Sequence, residues 1–220
     1  MSVPKLEYEQ ASIVLVGGFN PQIFQPPWFA KHGLLGSSEA DNAKIGVIHP
    51  EIVAFTADWC SLNVTQERFV AHTLREDCYP RLRDLVKGTF TLLRHTPIRQ
   101  MGLNREIHYS MPSNEAYHNV GHKLAPKEPW AGVLKEPGMQ TVAMQGQRPD
   151  DYKGLILVRV EPSRRKEVKD GVFVQINDHY EAKNQEAGEG CDELIDVLSR
   201  SWDISLERSK KMAEKLLEIQ

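Results

Sequence analysis

Histidine and carboxylate side chains are the usual material of proton transfer, because a histidine pKa can be set near neutrality. The chain offers them first in three segments of alternating character. In 101–109, Asn104, Glu106 and His108 fall on one face of a strand, opposite Met101, Leu103, Arg105, Ile107 and Tyr109. In 172–180, Gln175, Asn177 and His179 oppose Val172, Val174 and Ile176, and in 155–161 Arg159 shares a face with Glu161. If these strands are neighbours, they assemble one polar set. In it Glu106, His108 and His179 are the candidate catalytic groups, and Asn104, Arg159 and Asn177 the candidate binding groups. The plain alternative is the solvated face of a one-sided antiparallel sheet, which has the same pattern in sequence.

A second arrangement is the histidine pair of "HNVGHKLAPKEPW" (118–130). On a helix, His118 and His122 share one face at the i, i+4 spacing that can grip zinc. The segment lacks HExxH, and Gly121 and Pro126 weaken the helix. A third ligand must come from elsewhere, such as Glu128, His108 or His179. The competing expectation is a structural corner, with Gly121 near a helix end and Trp130 anchoring the loop in the core. A third arrangement is the basic run "RVEPSRRKEVKDG" (159–171). Pro162-Ser163 and Asp170-Gly171 are turn pairs and predict a solvated hairpin loop. Arg164, Arg165 and Lys166 make it the candidate contact for phosphate or nucleic acid within 159–169, although base-stacking aromatics are not interleaved in it.

Complete catalytic motifs are missing. "VLVGGFNP" (14–21) resembles the opening of nucleotidyltransferases that make dinucleotide cofactors. The His-x-Gly-His element that should follow does not, since the chain continues "QIFQPPWFAKHG". The same glycines do not form GxGxxG, so they predict a tight strand-to-helix turn with positive φ. GxSxG and P-loop signatures are absent. No cofactor is expected.

The elements that must position these groups follow from the pattern of the rest. "ASIVLVGGF" (11–19) predicts a buried strand, and Asn20-Pro21 a helix start. Pro26 and Pro27 allow only short helical pieces up to Leu35, and "SSEADNAK" is expected as a polar loop. Two or three strands lie in 45–64. Leu82, Leu85, Val86, Phe90 and Leu93 repeat at helical steps in 77–95. Residues 113–136 form an irregular or short-helical insert, followed by strands near 139–146, 154–162 and 172–180. The end, from about Cys191, is helical, with a break or kink expected over 201–205 and an exposed basic face in "ERSKKMAEK". Strands in runs favour α+β: a mostly antiparallel sheet, helices packed on one face, and a helical C-terminus, in a single domain over 1–220.

Of 220 residues, 40% are hydrophobic and 26% charged, the balance of a globular protein rather than a disordered one. A net charge of -3 opposes a main task of coating nucleic acid, which needs a strong positive field. Cys60, Cys78 and Cys191 form no CxxC pair and fit a reducing compartment. The start of the chain lacks the basic and apolar regions of a leader, and "ASIVLVGGF" is too short to cross a bilayer, so a cytoplasmic protein without membrane contact is expected.

"FTADW" (55–59), "TPIRQMGLNREIHY" (96–109), "GHKLAPKEPW" (121–130) and "VFVQINDHYE" (172–181), followed by a helical C-terminus, resemble a sporadically distributed, uncharacterised prokaryotic protein family. The resemblance covers most of the chain, supports one domain and implies no activity. The expectation is a non-catalytic binding or partner subunit of a larger cytoplasmic assembly, with a protein partner, of the kind found in mobile-element or defence systems. A hydrolase using the polar sheet face, and a nucleic-acid contact through the basic loop, are the alternatives. The oligomeric state is not legible.

Overall fold

The structure, a computed structural model, describes residues 3–183 and 190–218. Nine strands form one antiparallel sheet: β1 (Lys5–Gly17), β2 (Lys44–His49), β3 (Ile52–Thr56), β4 (Ser61–Thr65), β5 (Arg68–Thr73), β6 (Ile98–Ser110), β7 (Val142–Gln147), β8 (Gly154–Pro162) and β9 (Gly171–Glu181). Their order is β2-β3-β4-β5-β1-β6-β9-β8-β7. The helices are α1 (Pro26–Lys31), α2 (Ser37–Asp41), α3 (Tyr79–Leu92), α4 (Asn114–Leu124) and α5 (Asp192–Leu217). This is the α+β class with a C-terminal helix.

Alternation fixes which side of each strand is covered. Ala11, Ile13 and Leu15 of β1, Phe69 and Ala71 of β5, and Met101 and Leu103 of β6 are buried. They pack with Leu82, Leu85, Val86 and Phe90 of α3 and Leu194, Leu198 and Trp202 of α5 in one apolar cluster. The Phe69 and Phe90 rings meet edge-on with centroids 5.1 Å apart. A second cluster joins Ile107, Tyr109, Ile156, Val174 and Ile176 to Val120 of α4 and Ala213 and Leu217 of α5.

Between the two clusters runs a belt of buried charge. Arg105 donates through Nη2 to Glu9 Oε2 at 2.5 Å and through Nη1 to the Leu206 carbonyl at 2.9 Å. Asp178 accepts from both Arg148 and Arg208, and Arg148 also donates to Asp150 Oδ2 at 2.7 Å. The Arg148 guanidinium lies 3.6 Å from the Tyr180 ring centroid. These contacts tie α5 and the turn after β7 to the middle of β9.

Several expectations are corrected. The segment "SSEADNAK" is not a loop: it begins with α2, whose Glu39 accepts from the Gly36 N–H at 2.9 Å and from Arg81 at 2.6 Å. Helix α5 is continuous through 201–205, because nothing in 192–217 is glycine or proline. Ser201, Ser205 and Ser209 face the sheet, where small side chains allow close approach. "ERSKKMAEK" is accordingly not all exposed, since Arg208 reaches the buried belt. The strand β5 lies in a stretch for which the sequence raised no expectation. At "VLVGGFNP" neither Gly17 nor Gly18 has positive φ. Glycine is required there because a Cβ on Gly17 would stand 2.1 Å from the Pro97 carbonyl oxygen.

Candidate functional site

Among the described residues no helix lies over the other face of the sheet, and its central strands align the polar residues in register. One row runs Val70, Val14, Gly102, His179 and Leu155 across β5, β1, β6, β9 and β8. The next runs His72, Ser12, Asn104, Asn177 and Leu157. A third holds Gln10, Glu106, Gln175 and Arg159, and a fourth Tyr8, His108, Phe173 and Glu161. The strands carrying Asn104, Glu106, His108, Arg159, Glu161, Asn177 and His179 are thus direct neighbours, β6-β9-β8, as the polar set required.

The geometry separates His179 from the other two candidate catalytic groups, which are neighbours on β6. His179 stands opposite Gly102, six positions along β6 from His108, or roughly 20 Å at strand rise. By the same rise Glu106 is roughly 13 Å from His179. Glu106 is held from both sides: Gln10 Nε2 donates to its Oε2 and Gln175 Nε2 to its Oε1, each at 2.5 Å. His108 Nδ1 shares a hydrogen bond of 2.8 Å with Ser163 Oγ, and its ring lies 4.7 Å from that of Phe173. His179 Nε2 is 3.8 Å from Glu181 Oε1. Burial pushes the pKa of His72, His108 and His179 down. For His108 the Arg165 charge adds to the effect and Glu161 opposes it; for His72 the opposing charge is Glu106, and for His179 it is Glu181. These histidines favour the neutral form.

Asn104 Nδ2 donates to Ser12 Oγ at 3.2 Å. Its cross-strand neighbour Asn177 has a buried Oδ1 with no hydrogen-bond partner among the described residues. A Cβ on Gly102 would come within 3.0 Å of that oxygen, so the glycine leaves room for the amide pair. Charges on this face are interleaved with apolar Val14, Val70 and Leu157, of which Leu157 is 37% exposed.

The basic loop closes the β8–β9 hairpin, with the Ser163 N–H donating to the Gly171 carbonyl at 2.8 Å and Asp170 at φ 46. Arg164, Arg165 and Lys166 are exposed, and Val168 beneath them is buried. The Arg165 guanidinium sits 4.5 Å from the Tyr8 ring centroid, and that of Arg159 5.4 Å from Phe173. Arg159 also lies 3.9 Å from Glu161.

The loop "HNVGHKLAPKEPW" departs from expectation. His118 and His122 do share α4, which runs on past Gly121 to Leu124, but both are exposed. Among the described residues no group of three or more His, Cys, Asp or Glu is placed to hold a metal ion. Trp130 is 49% exposed and does not anchor the core. His118 instead lines a cavity of about 460 Å³ with Tyr117, Gly121, Lys127, Glu136 and Met139. The cysteines are free and buried, and burial pushes the Cys60 thiol up to about 12 and Cys191 up to about 11, so neither is a poised nucleophile.

Tyr8, Gln10, Ser12 and His72 belong to the face without having been singled out in sequence. The available signal was the alternation of 8–14, masked by apolar Val14 and Val16. No protein-family model matches the chain, and no curated protein matches it. Among the described residues no helix is long and apolar enough to cross a membrane.

Proposed function

We propose that the chain is a non-catalytic binding protein, a subunit of a larger cytoplasmic assembly, that meets a protein partner through the uncovered face of its sheet. The observation that carries this reading is the fixing of Glu106 between Gln10 and Gln175. A general base needs a free lone pair within reach of a substrate proton. Here each carboxylate oxygen already accepts from an amide, which fixes the group's position and stabilises its charged form, and the nearest candidate partner, His108, is bonded to Ser163. The face is therefore rigid, hydrogen-bonded and mixed in polarity, the character of a protein-binding surface. Three free buried cysteines suit a reducing cytoplasm.

Native mass spectrometry of the protein purified from its own host tests the reading. A second chain of different mass at fixed stoichiometry is expected with the wild type. It should be lost from Leu157→Arg, on the face, and retained by Ile204→Arg, on the exposed side of α5. Retention in Leu157→Arg, or a turnover abolished by His108→Ala, would overturn the proposal.

One observation favours a second reading, a nucleic-acid contact. Arg165 stacks over Tyr8 at the rim of the face, beside exposed Arg164 and Lys166. Guanidinium planes and rings can stack bases, and counterion release would make binding salt-dependent. A labelled single-stranded oligonucleotide should then lose affinity steeply with added salt and on Arg165→Ala. Equal binding at low and high salt, or none at either, would remove it.

A further inference from the structure

The two edges of the sheet are built differently. The β2 edge carries Lys44, shifts register between Ile45 and Val47, and runs out into His49-Pro50. A charge, an irregularity and a proline are the devices by which proteins stop one edge from adding to another. β7 has none of them. Val142–Gln147 holds no charged residue and no proline, and it pairs with β8 in unbroken register over all six residues. Residues 143–147 are exposed, with Met144 at 68%. Gln140 and Thr141, which lead into β7, line a cavity of about 200 Å³ with Trp130 and Leu134. Those two apolar side chains are 49% and 53% exposed.

A strand edge presents N–H and C=O groups that only another extended strand satisfies in full. The composition of β7 selects which strand. In an antiparallel two-fold pairing residues meet in reciprocal pairs and a residue on the axis meets its own copy, so a charge near the middle of the strand would face a like charge. β7 offers valine, alanine, methionine, glycine and two glutamines, and a glutamine amide both donates and accepts. Val142, Met144 and Gly146 lie on the helix-covered side, opposite Val160, Val158 and Ile156 of β8. A register opposing residues of equal parity keeps this set against itself and leaves the helices of both copies on one side. We infer that β7 is the interface of a symmetric dimer, in which two nine-stranded sheets join antiparallel into one. Six paired residues alone would make a small interface, and Met144, Trp130 and Leu134 supply the apolar area beside them. The uncovered faces of both copies then lie side by side and remain free.

Sedimentation velocity of the full chain from about 1 to about 100 µM decides the matter, supported by hydrogen exchange. A species of twice 25.0 kDa is expected. The alternate amides of 142–147 that point away from β8 should be protected when concentrated and exchange on dilution. Met144→Lys and, separately, Ala143→Lys should raise the dissociation constant at least ~100-fold, because the two-fold places two new like charges within the short paired segment. Ile48→Lys on the other edge should leave it unchanged. Circular dichroism checks each variant for folding, and the exchange of wild-type β7 needs no variant at all. A monomer at about 100 µM, unprotected β7 amides, or a dimer that survives a folded lysine variant would overturn the inference.

Discussion

The two faces of one sheet use polar side chains to opposite ends. On the covered face Arg105, Glu9, Asp178, Arg148 and Arg208 sit between two apolar clusters, with the Arg148 and Asp178 side chains each 1% exposed. On the uncovered face Glu106 and its glutamines are half-buried and meet no helix. Buried charges are costly to desolvate and hold only when each has its partners. They therefore fix geometry, here the seating of α5 and of the turn after β7 on β9. The uncovered face carries its polar groups at much smaller cost, because water and a partner can both reach it. The strands pay for alternation once and obtain a clamp on one side and the proposed binding surface on the other.

Removing the centre of the clamp should break this contrast most severely. Asp178→Ala strands two arginines, one of them fully buried, and should destabilise the protein by about 3–5 kcal/mol in chemical denaturation. Glu106→Ala makes the corresponding cut on the uncovered face. It leaves the Gln10 and Gln175 amides without a shared acceptor in a half-buried place, and should cost about 1–2 kcal/mol. Equal losses from the two substitutions would mean that the uncovered face is also part of the structural core.

The sheet pattern made this contrast partly legible beforehand. Period-two alternation placed Glu106, His108, Asn177 and His179 on one face correctly, because each strand's own sequence carries that information. Which strands adjoin is not a local property. Tyr8, Gln10 and Ser12 join the face because β1 occupies the middle of the sheet, and His72 because β5 flanks it. The clamp escaped for the same reason: Arg148, Asp178 and Arg208 are 30 residues apart in each step. A hint existed, since Asp178 alternates in phase with Ile176 and Tyr180, at core positions. The break expected over 201–205 does not occur, because no glycine or proline interrupts 192–217. Gly17 was assigned to a turn conformation when close approach to Pro97 is what demands it.

The smallest expected effect concerns protons. His72, His108 and His179 all lie on the uncovered face, and burial holds each below its ordinary pKa of 6.5. A histidine in the unfolded chain therefore takes up its proton before the folded one does. Unfolding then binds protons as pH falls, and stability declines. Above 6.5 both states are neutral at these positions and the contribution is fully present; below it the contribution is lost until the folded pKa is passed. Carboxylates with lowered pKa values, such as Asp150 beside Arg148, act only at more acid pH. Stability measured from pH 7 to about pH 5 should thus slope downward on acidification. His72→Gln should flatten that slope. If His72→Gln leaves the slope unchanged, His72 is solvated like a surface residue and burial on this face does not depress its pKa.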